Sequence, residues 1–105
     1  MFGDLIGNME ERQKELKSKL AEIIVEAEAG DGAIKVTANA NREIVNISIN
    51  KDALDWDDQE QVEDIVMVAV NRALEKAAVK EKKESQNLIK DMLPPGFGEM
   101  SDLFG

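Results

Sequence analysis

The chain has 105 residues, a length that suits one domain with a modest hydrophobic core. It contains no cysteine and no histidine, which excludes a disulfide-stabilised scaffold, a thiolate nucleophile and the usual ligands of transition metals. The formal net charge of -9 excludes a protein that is basic over its whole surface. No apolar run approaches the roughly 20 residues that span a bilayer, so we expect a cytoplasmic protein without membrane association.

The N-terminal segment predicts an amphipathic helix from about Asp4 to about Glu22. Its apolar positions recur at alternating spacings of four and three, the pattern with which one helix packs against another. The stripe consists of Phe2, Ile6, Met9, Gln13, Leu16, Leu20 and Ile23, with Gln13 as its polar member. The residues between these positions are mostly charged, and we expect that side of the helix to face solvent.

From Ile23 onward the apolar period changes to two, which predicts strands. The alternation is regular in residues 23–29, 34–40 and 44–50, and polar turns separate the three segments. Gly30-Asp31-Gly32 forms the first turn, where glycine provides the positive φ that a tight hairpin requires. The prediction is a three-stranded antiparallel meander with one apolar face, formed in the last strand by Val45, Ile47 and Ile49, which the helices must cover.

A second helix is predicted from about Asp58 to about Asp91. Asp57 or Asp58 is suited to cap its first turn, with Glu60 or Gln61 three residues further on, as in a capping box. Its apolar stripe comprises Val62, Ile65, Val66, Ala69, Val70, Ala73, Leu74 and Ala77. Such a helix is roughly 50 Å long, whereas a small domain is about 30 Å across. We therefore expect its C-terminal half to project, covered by the first helix or by a second copy of the chain.

Residues 93–105 differ in composition from the rest of the chain. Pro94 and Pro95, followed by glycines, end the second helix. The segment also contains the apolar residues Phe97, Met100, Leu103 and Phe104. We expect a single domain over residues 1–92 and a flexible tail over residues 93–105. The tail is either a disordered terminus or an apolar segment that docks on its own dimer or on a protein partner.

The predicted fold class is α+β, with the elements in the order α-β-β-β-α. At the joints between these elements the sequence resembles the YbaB/EbfC family of bacterial nucleoid-associated proteins. The segments that carry the resemblance are Met1–Gly3, Gly30–Thr37, Ile47–Asn50, Leu54–Asp58, Val62–Ile65, Ala69–Ala73 and Leu93–Phe97. These short segments are distributed along nearly the whole chain.

The resemblance implies a homodimer whose projecting helices bind double-stranded DNA with low sequence specificity. It also implies a chromosome-associated role in the bacterial nucleoid, without catalysis and without a cofactor. The lack of histidine, cysteine and tyrosine agrees with a non-enzymatic role, since no imidazole is present to activate a serine or threonine.

The candidate DNA contacts are basic residues of the two helices. Arg72, Lys76, Lys80 and Lys83 are spaced four, four and three residues apart, so they lie along one side of the second helix and are placed to follow a phosphate backbone. Arg12, Lys14, Lys17 and Lys19 provide a second set on the first helix. The alternative is a solvated surface with intrahelical ion pairs such as Lys80 with Glu84, each worth only a few tenths of a kcal/mol.

An acidic run spans the start of the second helix and suggests two further hypotheses. Ala53–Asp64 contains six acidic residues and no basic one. It lacks the glycine and glutamate spacing of a calcium loop, so helix capping is favoured over metal binding, and Trp56 is interpreted as a hydrophobic staple or an interface anchor. The acidity also supports a second function, a protein-interaction or assembly module of the same fold with weak or no DNA binding.

Overall fold

The computed structural model describes residues 2–92, and the surroundings of the side chains from residue 9 to residue 90. Its elements are α1 (Phe2–Glu22), β1 (Ile24–Ala29), β2 (Ile34–Asn39), β3 (Ile44–Ile49), a 3₁₀ turn (Lys51–Ala53) and α2 (Gln59–Met92). The predicted α-β-β-β-α order is confirmed, and the first helix begins two residues earlier than expected. The predicted tail, residues 93–105, lies outside the described residues.

The core lies between α2 and the first two strands. The sheet is antiparallel in the order β1-β2-β3, and the predicted alternation places the apolar residues of β1 and β2 on one buried face. Ile34 and Val36 at its centre are fully buried. Ala69, Ala73 and Ala77 of α2 are also fully buried, and their spacing of four residues places them on one side of the helix. These small side chains let the helix lie close to the sheet.

The helical layer does not cover β3, contrary to the prediction that the helices cover the whole apolar face. Ile47 pairs with Val36 and Ile49 with Ile34, so both lie on the core side of the sheet, yet they are 44% and 42% exposed. The reason is geometric. A helix is about 10 Å wide, whereas strands are about 4.8 Å apart, so one helix covers two strands and leaves the third bare.

A register irregularity also changes which residues of β3 share that face. The pairing shifts between Thr37 and Ala38, so that Ile44 lies opposite Ala38 while Thr37 lies opposite Asn46. Ile44, rather than the predicted Val45, therefore joins Ile47 and Ile49 on the core side, because Val45 is the extra residue of a β-bulge.

The predicted apolar stripe of α1 is covered only at its C-terminal end. Leu20 is buried, Leu16 is half-buried and Met9 is 54% exposed. The backbone N–H of Ala40 donates to the carbonyl of Leu20, which attaches this end of α1 to the sheet. The side chains of Phe2 and Ile6 fall outside the described ones.

The second helix projects beyond the sheet, as the sequence predicts. Its last fully buried residue is Ala77, but the helix continues to Met92, about 22 Å further. In this distal half the half-buried positions recur every three or four residues, on the side facing α1; they include Ala78, Glu81, Ser85 and Leu88. We call α1 together with residues 78–92 the arm, and residues 23–77 the body. The molecule measures 63 × 33 × 18 Å.

Asp58 caps α2, which confirms the capping interpretation of the acidic run. Its side-chain Oδ1 accepts a hydrogen bond from the backbone N–H of Gln61 at 3.2 Å. Trp56 lies just before this cap, 54% exposed, with its ring N–H donating to the carbonyl of Lys51 at 3.1 Å. Its indole therefore remains available for an interface.

Substitution of Gly30 tests how closely the first hairpin packs on α2. Gly30 has φ of +66°, and a Cβ there would lie 2.9 Å from Cγ2 of Ile65. Gly32 has φ of +86°, but its Cβ would come no closer than 3.7 Å to another side chain. We expect Gly30→Ala to lower the free energy of unfolding by about 2–3 kcal/mol and Gly32→Ala by about 1 kcal/mol, measured by urea denaturation. Equal losses would contradict close packing at Ile65.

Candidate nucleic-acid interface

The basic row predicted on α2 begins beside the outer edge of β1. The guanidinium Nη1 of Arg72 donates to the backbone carbonyl of Glu28 at 2.9 Å, and Nζ of Lys76 donates to the carbonyl of Glu26 at 2.7 Å. Because β1 is an edge strand, these carbonyls have no strand partner on that side. The first half of the row is therefore bonded to the body.

The second half of the row lies on the arm. Lys80 and Lys83 are exposed, and within residues 9–90 their side chains have no hydrogen-bond or ion-pair partner. The intrahelical ion pair of Lys80 with Glu84, given above as the alternative to DNA contact, is not formed in the structure. Instead Oε2 of Glu84 lies 3.1 Å from Nζ of Lys19, so that Glu84 links the two helices of the arm.

The predicted cations of α1 divide into two groups. Lys19 is paired with Glu84, whereas Arg12, Lys14 and Lys17 are exposed. At about 100° per residue, Lys14 and Lys17 lie on one flank of the helix and Arg12 and Lys19 on the other. The eight candidate residues thus form no single patch: some are bonded to the body, and others extend along the two sides of the arm.

The turn between β2 and β3 joins the arm to the body. The side-chain oxygen of Asn39, which is buried, accepts hydrogen bonds from the backbone N–H groups of Asn41 and Glu43. Nδ2 of Asn41 donates to the carbonyl of Lys17 at 2.8 Å, and the guanidinium of Arg42 pairs with Glu81 at 3.0 Å. The turn therefore contacts both helices where they leave the sheet.

Sequence reasoning missed this joint because its partners lie far apart along the chain. Arg42 and Glu81 are 39 residues apart, and Asn41 bonds a residue 24 positions away. The one available signal was the Asn-rich turn itself, since asparagine side chains commonly organise turns by bonding nearby backbone groups. Nothing in that signal identifies the helix residues that the turn contacts.

The basic residues of the body and of the arm differ in how they are bonded. Four of the five basic side chains of the body are engaged within the described residues: Lys35, Arg42, Arg72 and Lys76, leaving Lys51. In the arm, seven of eight have no partner within residues 9–90, Lys19 being the exception. The body also carries twelve acidic residues, against eight in the arm. Cations available to a polyanion are thus concentrated on the arm.

Lys35 illustrates how the body neutralises its own cations. Its Nζ lies 3.4 Å from a carboxylate oxygen of Glu26 and 3.4 Å from one of Glu28 on the outer face of the sheet. The hydrogen bond to Glu28 and the charge of Glu26 raise the pKa of Lys35 above its ordinary value of 10.5. Because the pKa is raised, the attraction of Lys35 to the two carboxylates is present at neutral pH and is lost only when the pH rises through that pKa.

The described part of the chain has neither a membrane-spanning helix nor a cluster of metal ligands. No helix within residues 2–92 combines the length and the apolar character needed to cross a membrane. No group of three acidic side chains in that range converges in the way that metal ligands do.

The sequence of the chain matches the YbaB/EbfC DNA-binding family over residues 2–92. The chain belongs to this family. It is similar to a nucleoid-associated protein of Moorella thermoacetica, with 36% identity over 102 residues, covering 88% of this chain and 98% of that protein. A nucleoid-associated protein of Thermoanaerobacter pseudethanolicus is 40% identical over 89 residues, covering 85% of this chain and 80% of that protein.

The fold of this YbaB/EbfC family member is also found in a crystal structure. An uncharacterized protein from Helicobacter pylori superposes with a TM-score of 0.69 at 24% identity, covering 84% of this chain and 92% of that one. The predicted family and the DNA-binding function that it implies are confirmed. The absence of catalysis stays a prediction, in agreement with a family described by DNA binding.

The ion pair between Arg42 and Glu81 gives a prediction about the joint. Its side chains are 56% and 30% exposed, and exposed pairs of this kind contribute about 0.2–1 kcal/mol and are screened by salt. We expect Arg42→Met to lower the free energy of unfolding within that range at about 0.02 M salt and to have no effect at about 1 M. Urea denaturation at both concentrations measures this, with Lys82→Met as the control; an equal loss at both would contradict an electrostatic role.

Proposed function

We propose that this YbaB/EbfC family member binds double-stranded DNA in the nucleoid as a homodimer, with the arms contacting phosphates and little preference for sequence. One observation carries the proposal: within residues 9–90, seven of the eight basic side chains of the arm have no partner, whereas four of the five in the body are bonded to carboxylates or carbonyls. A polyanion is attracted where cations are unpaired and repelled where carboxylates dominate. The arm is therefore the part of the molecule that approaches DNA.

The proposed contacts are the eight basic residues predicted from the sequence, and they differ in availability. Arg12, Lys14, Lys17, Lys80 and Lys83 have no partner within residues 9–90 and lead the set. Lys19, Arg72 and Lys76 are already bonded, but arginine and lysine carry several N–H donors and retain some for a phosphate oxygen. Contacts from lysine and arginine to phosphate position a protein on a duplex without reading its sequence, which accounts for low specificity.

The bare face of β3 supports the homodimer. Ile44, Ile47 and Ile49 lie on the core side of the sheet and are 38%, 44% and 42% exposed. On the flank of α2, a groove of about 630 Å³ is lined by Leu74, Ala78, Arg42, Asn71 and Glu75. A second copy offers the same apolar strip and helix flank, and a two-fold axis through β3 brings identical surfaces together. The dimer doubles the number of cations that one duplex meets.

The tail remains a prediction. Residues 93–105 lie outside the described ones, and a protein partner that binds their apolar residues is proposed from the sequence alone. The alternative function, an acidic interaction module of the same fold, is supported by the net charge of -9 and is an outcome of the DNA-binding test below.

Charge reversal on the arm tests the proposed DNA contact. We expect Lys83→Glu to weaken binding of a labelled duplex and to reduce the slope of log K against log salt concentration. The reduction is about 0.9 for each lost phosphate contact, hence about 1.8 for a dimer. Lys51→Glu is the matched control, because it makes the same charge change at the unbonded cation of the body; we expect its slope to equal that of the wild type. Fluorescence anisotropy from about 50 to 300 mM salt measures both.

Two results would contradict the proposal. Equal loss of slope in both variants would mean that net charge rather than the arm governs binding. No binding by the wild type even near 50 mM salt, where phosphate contacts are strongest, would favour the interaction module.

A charge on the bare face of β3 tests the homodimer. Ile47 is half-exposed, so Ile47→Glu leaves most of the core intact while placing a carboxylate at the centre of the proposed interface. We expect this variant to run as a single chain in light scattering coupled to size exclusion, under conditions where the wild type is dimeric. Ser48→Glu on the opposite face of the same strand is the control. Dimerisation of Ile47→Glu with wild-type affinity would exclude β3 as the dimer interface.

A further inference from the structure

The outer edge of β1 is bonded by two successive turns of α2. Arg72 donates to the carbonyl of Glu28 and Lys76 to that of Glu26, at 2.9 and 2.7 Å. The spacing of the two side chains on the helix matches the spacing of the two carbonyls on the strand. Residues four apart on a helix are about 6 Å apart along its axis, and residues two apart on a strand are about 6.6 Å apart. Because β1 and α2 run in opposite directions, two neighbouring cations reach two neighbouring outward carbonyls.

An edge strand without such contacts is a template for another strand. Its outward N–H and C=O groups pair readily with an extended segment of a second molecule. In this sheet both β1 and β3 are edges. If both were open, β1 of one copy could pair with β3 of the next. Such a head-to-tail contact forms a ring or an open chain of molecules rather than a two-fold dimer.

We infer that Arg72 and Lys76 close the β1 edge to strand addition and thereby confine self-association of the chain to β3. The inference rests on the proposed homodimer for the role of β3, but the closure of β1 stands on the two hydrogen bonds themselves. The cations occupy the carbonyl oxygens that an incoming N–H would need, and their hydrated charge discourages a strand from approaching. Within the described residues, no side chain bonds the outer edge of β3 in this way.

This role differs from that of the next cations along the helix. Lys80 and Lys83 lie beyond the buried part of α2 and have no partner within residues 9–90. The row of four therefore has two roles. Arg72 and Lys76 protect the sheet and have only their remaining donors for a phosphate, whereas Lys80 and Lys83 have all of theirs available to DNA.

The test compares two double variants with equal loss of charge. Arg72→Met with Lys76→Met removes the donors while keeping long unbranched side chains, and Lys80→Met with Lys83→Met is the control on the arm. Light scattering coupled to size exclusion over a range of protein concentrations gives the molar mass, and circular dichroism verifies folding. We expect the edge variant to form species larger than those of the wild type, growing with concentration. The arm variant should keep the wild-type mass and lose DNA affinity.

A third variant separates edge closure from a general loss of stability. The N–H of Glu26 points outward with its carbonyl, so proline there removes the donor that an added strand would need, at a position where an edge strand tolerates it. Glu26→Pro added to the edge variant should restore the wild-type mass, and Arg72→Lys with Lys76→Arg should retain it, because donors remain.

The outcomes are distinguishable. A wild-type mass for the folded edge variant, or growth that proline at position 26 does not reverse, would overturn the inference. An unchanged DNA affinity of the arm variant would instead count against the proposed DNA contact and leave the inference about β1 intact.

Discussion

The packing of one long helix across two strands determines the rest of this molecule. Ala69, Ala73 and Ala77 are fully buried against β1 and β2, which fixes α2 close to the sheet. Three consequences follow from the dimensions of a helix and a strand. The third strand remains bare, the helix extends beyond the end of the sheet, and its flank lies within reach of the outer edge of β1.

Each consequence provides one part of the proposed function. The bare strand offers an apolar surface for the proposed second copy, the extension forms the arm, and the flank bonds the outer edge of β1. Small side chains at the helix–sheet contact are what make this possible, because bulkier residues would move α2 away from β1 and carry Arg72 and Lys76 away from its carbonyls. The same few alanines thus support the proposed assembly and the placement of charge.

An acidic protein that binds a polyanion must separate its charges in space. In this protein the separation depends on which cations are bonded more than on how many charged residues each part carries, since the arm has as many acidic as basic residues. In the body, carboxylates and carbonyls hold the cations, as Glu26 and Glu28 hold Lys35. In the arm, Glu84 pairs with Lys19 and Glu81 pairs with Arg42 of the joint, which leaves Lys80 and Lys83 without an acidic partner within residues 9–90. Net charge alone therefore does not indicate where in such a protein the cations without an acidic partner lie.

The sequence by itself determined the order of elements, the buried faces of β1 and β2, the Asp58 cap and the overlong second helix. Those features are local: periodicity and capping depend on residues a few positions apart. The short segments between the helices and strands, which resemble the YbaB/EbfC family, indicated the family. Only the tertiary structure decided that β3 is bare, that Ile44 replaces Val45 on its face, that Arg42 and Asn41 tie the arm to the body, and that Arg72 and Lys76 bond β1 while Lys80 and Lys83 do not. These depend on how many strands one helix can cover and on partners up to 50 residues apart, which no local pattern encodes.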